Sequence, residues 1–480
     1  MGVGGSKRKN CQCEDGLIFF SRLIMSGKLN LYKLLGFFTF QKEVAMRRKI
    51  LVPIVIFVLS LAIYLPGNFT LSQGEKNADA GGAIYWKGNL HTHSLWSDGN
   101  DYPDMIADWY KTHGYQFLAL TEHNLLAEGD KWTTPKKAEG NKGKALEKYM
   151  NRFGPTWVEK KMVDGKELVR LKTLEECKKL HEEQGKFLFV PAEEITHKFA
   201  KFPIHMNALN VNKAIKPVDG EGIRETMTVN LRNLEEQSKK SGNVTLGFLN
   251  HPNFQQSIPA EDIAMCSEIR FFEVHNGHSG VRNYGGDTFP SCEKLWDVAL
   301  ALRLGKLKMP LVYGLATDDS HEYHDIGLGK TNPGRGWVMV RSKQLNPDSL
   351  LQAMHKGDFY SSTGVVLEDV VVSDGELIVK IKAEAGVSYR TEFIVTYADT
   401  SLESSPVMDK DGKAVMVTRN YAGKIGVVAK DSTETTAKYK FTGRELYVRA
   451  KVVSSRLHPN PYQKGDFETA WVQPVVPASK

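Results

Sequence analysis

Between residues 86 and 362 the chain repeats one pattern: a short apolar run that ends on residues able to bind a cation. FLALTEH ends on Glu122 and His123, and KFLFVPAEE on Glu193 and Glu194. VTLGFLNHP ends on His251, IRFFEVHNGH on Glu273, His275 and His278, and PLVYGLATDDSH on Asp318, Asp319 and His321. Apolar runs of this length suit strands buried on both faces, as in a parallel sheet. Between them, TLEECKKLHEEQG (173–185) and NLRNLEEQSKKSG (230–242) carry leucine at helical spacing and stop at Gly. Strand, polar tip and helix in repetition predict a parallel α/β barrel with its site at the C-terminal ends of the strands. FPIHMNALNV (202–211) breaks the order. There His205 precedes the apolar run, which predicts a place at the start of a strand or on the loop before it.

From about 365 the texture changes. GELIVKIKAE, YRTEFIVTYAD, KYKFTGRELYVRAKVVSS and ETAWVQPVV alternate with period two, between Gly, Asp and Asn turns. Antiparallel strands follow, and about 110 residues in six to eight of them fit a β-sandwich over 365–480. Residues 125–170 are rich in Lys, Gly and Pro and read as a solvated surface insertion beside the barrel. At the other end, Arg47, Arg48 and Lys49 precede sixteen uncharged residues, Ile50–Leu65. That is the grammar of a signal peptide or membrane anchor over 46–66, with the chain beyond it exported to a periplasmic or extracellular space. Residues 1–45 are expected to be a non-native or disordered extension ahead of a start at Met46. Residues 67–85 are expected to be a linker before a catalytic domain over 86–362.

Charge modifies this picture in one respect. The net charge is +7, but residues 1–49 hold ten Lys/Arg against three Asp/Glu, and the rest of the chain carries 53 of each sign. The part expected to fold has no general polyanion signature, so nucleic acid is not an expected partner. The five cysteines are Cys11, Cys13, Cys177, Cys266 and Cys292. Their spacing gives neither a disulfide framework nor a thiolate zinc site.

The candidate chemistry gathers at the tips. HTHSLWSDGN (91–100) sets His91 and His93 two apart, so on a strand both imidazoles share a face. With Asp98, His123, Glu194, His205, His251, Asp319 and His321 they make nine nitrogen or oxygen donors and no thiolate. That set favours Zn²⁺, Mn²⁺ or Fe²⁺ and exceeds what one ion can use. Two or three divalent ions are expected, with Glu194 as a bridge. Burying so many imidazoles and carboxylates without cations would be costly.

These residues resemble the motifs of the polymerase and histidinol phosphatase (PHP) superfamily. HTHSLWSDG resembles its first motif and LTEHN its second, with Glu122 where Asp is usual. PAEEIT resembles the third, and DDSH (318–321) the last. NHPNF, EVHNGH and YGLATDDSHEYH resemble an exported branch. The resemblance implies a distorted (β/α)7 barrel and a trinuclear centre. The first ion would take His91, His93, Glu194 and Asp319. The second would take Glu194, His205 and His251, and the third Asp98, His123 and His321. It also implies phosphoester hydrolysis of a small phosphorylated substrate by hydroxide drawn from water that the ions acidify. His275 and His278 are the candidate acids, and Arg282, Lys330 and Arg335 the candidate phosphate-holding cations. Two other readings compete: an amidohydrolase-like metal-dependent hydrolase of another bond, and a non-catalytic exported binding module.

Overall fold

The computed structural model describes residues 82–139 and 144–478, and the expectations for 1–45, for 46–66 and for most of 67–85 lie outside them. The described residues cluster as one compact unit. Among the described residues no helix is long and apolar enough to cross a membrane.

The apolar runs form strands as expected. They are β1 (Ile84–Asn89), β2 (Phe117–Leu118), β3 (Thr121–His123), β4 (Leu188–Phe189), β5 (Ala192–Phe199), β6 (Phe202–Leu209), β7 (Leu246–Leu249), β8 (Phe271–Asn276) and β9 (Tyr313–Thr317). β2 and β3 are two halves of one apolar run, and so are β4 and β5, which Val190 and Pro191 separate. The first halves pair in parallel with β1 in the order β1-β2-β4. The second halves join another sheet of order β9-β8-β7-β6-β5-β3.

Backbone bonds link the two sheets. The Ala119 N–H donates to Asn89 O at 2.9 Å and the Thr121 N–H to Thr92 O at 2.9 Å. On the other flank the Asp319 N–H donates to His91 O at 2.9 Å and the His93 N–H to Ser320 O at 3.0 Å. Hydrogen bonding therefore runs from residues 89–93 through seven chain segments and back to residues 91–93. Inside this circuit Asn207 Nδ2 donates to Leu90 O at 3.0 Å, tying segments that are not neighbours in either sheet.

β6 runs antiparallel to both β5 and β7, with Thr196 opposite His205 and Leu246 opposite Leu209. This corrects the expectation for His205. It lies within the strand, and it precedes the apolar run because the strand direction is reversed. The start of β6 therefore meets the C-terminal ends of its parallel neighbours.

Helices pack outside the circuit. Gly242 ends the helix Ile223–Ser241 at φ 79°, a left-handed conformation that costs glycine little. A capping box of Thr173 and Glu176 starts the helix Leu174–His181. That helix stops short of the expected Gly185, because Glu182 turns extended and its carboxylate accepts the Phe189 N–H at 2.9 Å. The 125–170 insertion contains two short helices and a three-stranded sheet of Trp132–Thr133, Lys160–Val163 and Lys166–Arg170. It packs on a core of Trp96, Tyr110, Tyr149, Val169 and Phe187 that it shares with the segments before and after it.

At 362–365 the sheet does not break. β10 (Trp337–Ser342) pairs with β1 and with β11 (Phe359–Ser362). The same sheet continues through β18 (Phe467–Val475), β17 (Glu445–Leu457), β14 (Tyr389–Tyr397) and β15 (Val427–Ser432). A second sheet of β12 (Leu367–Ser373), β13 (Glu376–Ile381) and β16 (Thr436–Lys440) shares a core with it, including Leu377, Val379, Phe393, Tyr439 and Val448. The helix Cys292–Ala301 is bound to β17 by a buried bidentate pair. Arg449 Nε and Nη2 each donate to Asp297 at 2.7 Å, and the Tyr447 hydroxyl adds a third bond at 2.7 Å.

Removing one member of a buried, hydrogen-bonded ion pair strands the other charge. Asp297→Ala should therefore cost about 3–5 kcal/mol of unfolding free energy, read from the urea midpoint. Asp297→Leu combined with Arg449→Met should recover most of that loss.

Candidate metal centre

His91 and His93 lie just beyond β1, where Thr92 bridges Ser320 in parallel. Both imidazoles are fully buried. Glu194 extends from β5 and His123 from the end of β3. Asp98 sits on the turn after His93, with 54% of its side chain exposed, so it is the outermost member. That turn is tight: a Cβ on Gly99 would fall 2.4 Å from His93 O. His251 and Asp319 hold positive φ values of 22° and 49°. Non-glycine residues are rare there and concentrate at functional sites.

All nine expected donors converge. His91 Nε2 lies 3.3 Å from Asp319 Oδ1 and 3.7 Å from Glu194 Oε1. His93 Nε2 lies 3.3 Å from Asp319 Oδ1 and 3.5 Å from Glu194 Oε2. Glu194 also meets His205 Nδ1 at 2.9 Å, His123 Nδ1 at 2.8 Å and His251 Nε2 at 3.7 Å. Asp98 meets His123 Nε2 at 3.2 Å and His321 Nε2 at 3.3 Å. Three groups each bring ligating atoms within 4.8 Å of one another: His91, His93 and Glu194; Glu194, His205 and His251; and His93, Asp98, His123 and His321. The donor set suits divalent ions. His91 Nε2 and His93 Nε2 are buried and make no hydrogen bond, so their lone pairs are free for a cation.

Electrostatics agree with that fit. Burial pushes Glu194 and Asp319 upward, but His205 and His123 hold Glu194, and His91 and His93 hold Asp319, well below the usual carboxylate range. Burial also opposes charge on His123, yet Asp98 and Glu194 lift it to about 10. Burial and the neighbouring His321 push His93 down to about 3. The centre thus holds ionised carboxylates that require positive charge nearby.

A second layer fixes these groups, and the sequence reading did not assign it. Glu273 accepts from the His251 and Asn276 amides and from the Thr317 hydroxyl, and bonds His91 Nδ1, each at 2.7 Å. It leaves His91 Nε2 aimed at the centre. Asn276 Nδ2 also reaches Asp319 at 3.1 Å, and Asn250 Nδ2 holds Glu194 Oε1 at 2.8 Å. His93 Nδ1 contacts the Ser97 hydroxyl at 3.3 Å, which donates to Glu122 at 2.5 Å. Glu122 also accepts from Ser94, so its buried carboxylate fixes the turn that carries Asp98. The sequence signal was present in Asn250 beside His251 and in Glu273 at the tip of its run.

His275 does not reach the centre. A register irregularity between Glu273 and His275 turns it away from the face that Glu273 occupies. Its ring stacks on Trp471 at 5.4 Å, and burial and His458 push it down to about 3. His278 does border the centre, with its ring 5.3 Å from that of His321. The expected phosphate-holding cations are otherwise engaged. Arg335 is buried and donates to Gly277 O at 3.1 Å and Gly327 O at 2.8 Å. Lys330 pairs with Glu322 at 3.2 Å, and Arg282 lies over the Phe289 ring.

Among solved structures, the chain is similar to a two-domain protein from Bacteroides vulgatus containing a predicted PHP-like metal-dependent phosphoesterase. Identity is 14% and the TM-score 0.34, over 82% of this chain and 96% of that one. It is also similar to a candidate metal-dependent phosphoesterase from Bifidobacterium adolescentis, at 13% identity and a TM-score of 0.27, over 56% of this chain and 96% of that one. No protein-family model and no curated protein matches the chain.

Glu273→Gln keeps the shape of the carboxylate but supplies an amide donor where only acceptors fit. Metal affinity, measured by competition with a chromogenic chelator, should fall about 10- to 100-fold while the far-ultraviolet dichroism is unchanged.

Proposed function

We propose that the chain is a metal-dependent hydrolase of phosphate esters acting on a small phosphorylated substrate. The observation that carries this reading is the meeting of three ligand groups, two of which share the carboxylate of Glu194 and two of which share His93. On this reading the first ion takes His91, His93, Glu194 and Asp319. The second takes Glu194, His205 and His251, and the third takes Asp98, His123 and His321, with His93 beside it. Such ions supply Lewis acidity toward phosphoryl oxygens and lower the pKa of water.

The chain's own residues do the positioning. Glu273, Asn250 and Asn276 orient the donors, so no ligand must rearrange as charge develops on the substrate. Burial of His91, His93 and Glu194 excludes bulk water from the inner face and strengthens each electrostatic contact there. The hydrogen-bonded circuit of seven segments, one of them reversed, supports reading this part as the distorted (β/α)7 barrel that the PHP motifs imply. The C-terminal strands are then a β-sandwich built onto its edge. Export of the chain, with Ile50–Leu65 as signal or anchor, is part of the same proposal. It is supported by the basic cluster before that run, and subcellular fractionation with intact mass measurement tests it.

An amidohydrolase-like reading would keep the metals and change the bond. It is less favoured because a glutamate, Glu194, stands at the bridging position among the described residues.

The test is release of phosphate from a panel of monoesters and diesters by protein loaded with Mn²⁺ or Zn²⁺. Release should depend on the metal and fall about 10³-fold in Glu194→Ala, the loss expected when several kcal/mol of metal-borne stabilisation goes. A metal-loaded wild type that releases nothing would move the reading to another bond. A folded protein that binds no metal would favour the binding module.

A further inference from the structure

We infer that Phe254 and His278 form a subsite for the leaving group of the ester, and that this subsite takes a flat, uncharged ring. The inference rests on the phosphoesterase reading and narrows its substrate class.

Phe254 is half-buried, and its ring stands beside the second ligand group. Its centroid lies 5.2 Å from that of His251 and 6.3 Å from that of His205. The His278 ring lies 6.0 Å away, nearly perpendicular at 85°. A single half-exposed aromatic residue is ordinary on a protein surface. This one is held by a specific local construction. The Phe254 N–H donates to His251 O at 2.8 Å, and the Ser257 hydroxyl donates to Phe254 O at 2.9 Å. Asn253 Nδ2 ties the loop to Arg282 O at 3.0 Å and Pro290 O at 2.9 Å. Gln255 and Gln256 follow at φ 53° and 54°, a region that residues with side chains seldom occupy. Gly280 lies close beneath both rings. A Cβ there would lie 3.3 Å from the Phe254 ring and 3.0 Å from the His278 ring.

The same glycine decides what His278 can do. The Gly280 N–H donates to His278 Nδ1 at 2.9 Å. An amide has only a proton to give, so Nδ1 presents its lone pair and the ring's one proton sits on Nε2. Nε2–H is then the side of the His278 ring that donates a hydrogen bond. Its backbone is fixed by the residue that also holds Asp319 and Glu273, since the His278 N–H donates to Asn276 Oδ1 at 2.8 Å.

A hydrogen-bond donor beside an aromatic ring matches an ester oxygen carried next to a planar group. Aromatic side chains favour offset or edge contacts with such rings, and a compact acyclic polyol has no flat face to offer them. The geometry points to phosphate esters of ring-bearing alcohols in preference to esters of compact polyols such as glycerol.

Benzyl phosphate and glycerol phosphate test this with the full chain, because both expel an alkoxide and only one carries a ring. Phe254→Ala should raise KM for benzyl phosphate about tenfold more than KM for glycerol phosphate; Phe254→Tyr should restore the preference. His278→Ala, which removes the donor, should lower kcat/KM for both esters, and His278→Gln, which offers an amide N–H in place of Nε2–H, should recover most of that loss. An equal effect of Phe254→Ala on both esters overturns the subsite. A His278→Gln variant no better than His278→Ala overturns the donor assignment. Binding of phenylphosphonate against methylphosphonate reads the subsite without turnover. A metal-loaded wild type that prefers the phenyl compound through Phe254 but hydrolyses neither ester overturns the phosphoesterase reading and supports the ring subsite.

Discussion

Two backbone hydrogen bonds set the geometry on which the rest depends. The Asp319 N–H donates to His91 O and the His93 N–H to Ser320 O, joining the first segment of the circuit to the last. The residues that make this closure also carry three of the inner candidate donors, His91, His93 and Asp319. A displacement of either segment would break the hydrogen-bond circuit and separate His91 and His93 from Asp319 in one event. Closure and ligand placement are thus a single structural requirement, which explains why Asp319 tolerates a left-handed backbone. The strain there is offset by bonds on both sides of it. It also explains the investment behind the ligands. Asp318, next to Asp319, is buried and accepts from the Tyr110 hydroxyl at 2.8 Å and from the amides of Gly334, Arg335 and Gly336 at 2.6–2.9 Å.

Charge balance is the second constraint. Glu194 is surrounded by four imidazoles at 2.8–3.7 Å apart from His91, and Asp98 by two more contacts. In a dry interior such carboxylates remain ionised only when matched by positive charge. Imidazole protons can supply part of it, and divalent ions can supply all of it while leaving the nitrogens as ligands. The second layer supports the latter arrangement, because Glu273 occupies His91 Nδ1 and the Ser97 hydroxyl occupies His93 Nδ1. Each ring then turns Nε2 inward. A merely hydrogen-bonded core would not leave those inward nitrogens without partners.

Much of this was legible because ligands at strand tips leave a local record: an apolar run followed by His, Asp or Glu. His205 was legible as a donor but not as a direction. Its place before the apolar run is the signature of a reversed strand, and period alone cannot give orientation. His275 was misplaced for a related reason. Two residues apart on a regular strand share a face, and the irregularity at Val274 inverts that rule. Glu273 escaped because an accepting carboxylate behind a ligand has no spacing of its own; only the fold brings it to His91, 182 positions away. Arg335 looked free for substrate in the sequence, whereas its guanidinium is consumed by loop carbonyls.

The change of texture at 365 was legible, but its mechanical meaning was not. Alternation identifies antiparallel strands without saying what they pair with, and here they extend the sheet that begins at β1. Gln473 of β18 holds Gly314 of β9 through both its N–H, at 2.9 Å, and its carbonyl, at 2.8 Å. Trp471 backs His275, and Asn460 reaches Arg335, whose other bonds hold the 277 and 327 backbone. The Tyr462 hydroxyl donates to Val281 O, three residues beyond His278. The C-terminal region therefore braces the outer side of the strand that leads to Asp319 and the loop that carries His278. A region connected in this way acts on the centre through the rigidity of β9 and of residues 277–284. It needs no donor of its own to affect the centre, which accounts for a donor-poor sequence joined to a donor-dense one by an unbroken sheet.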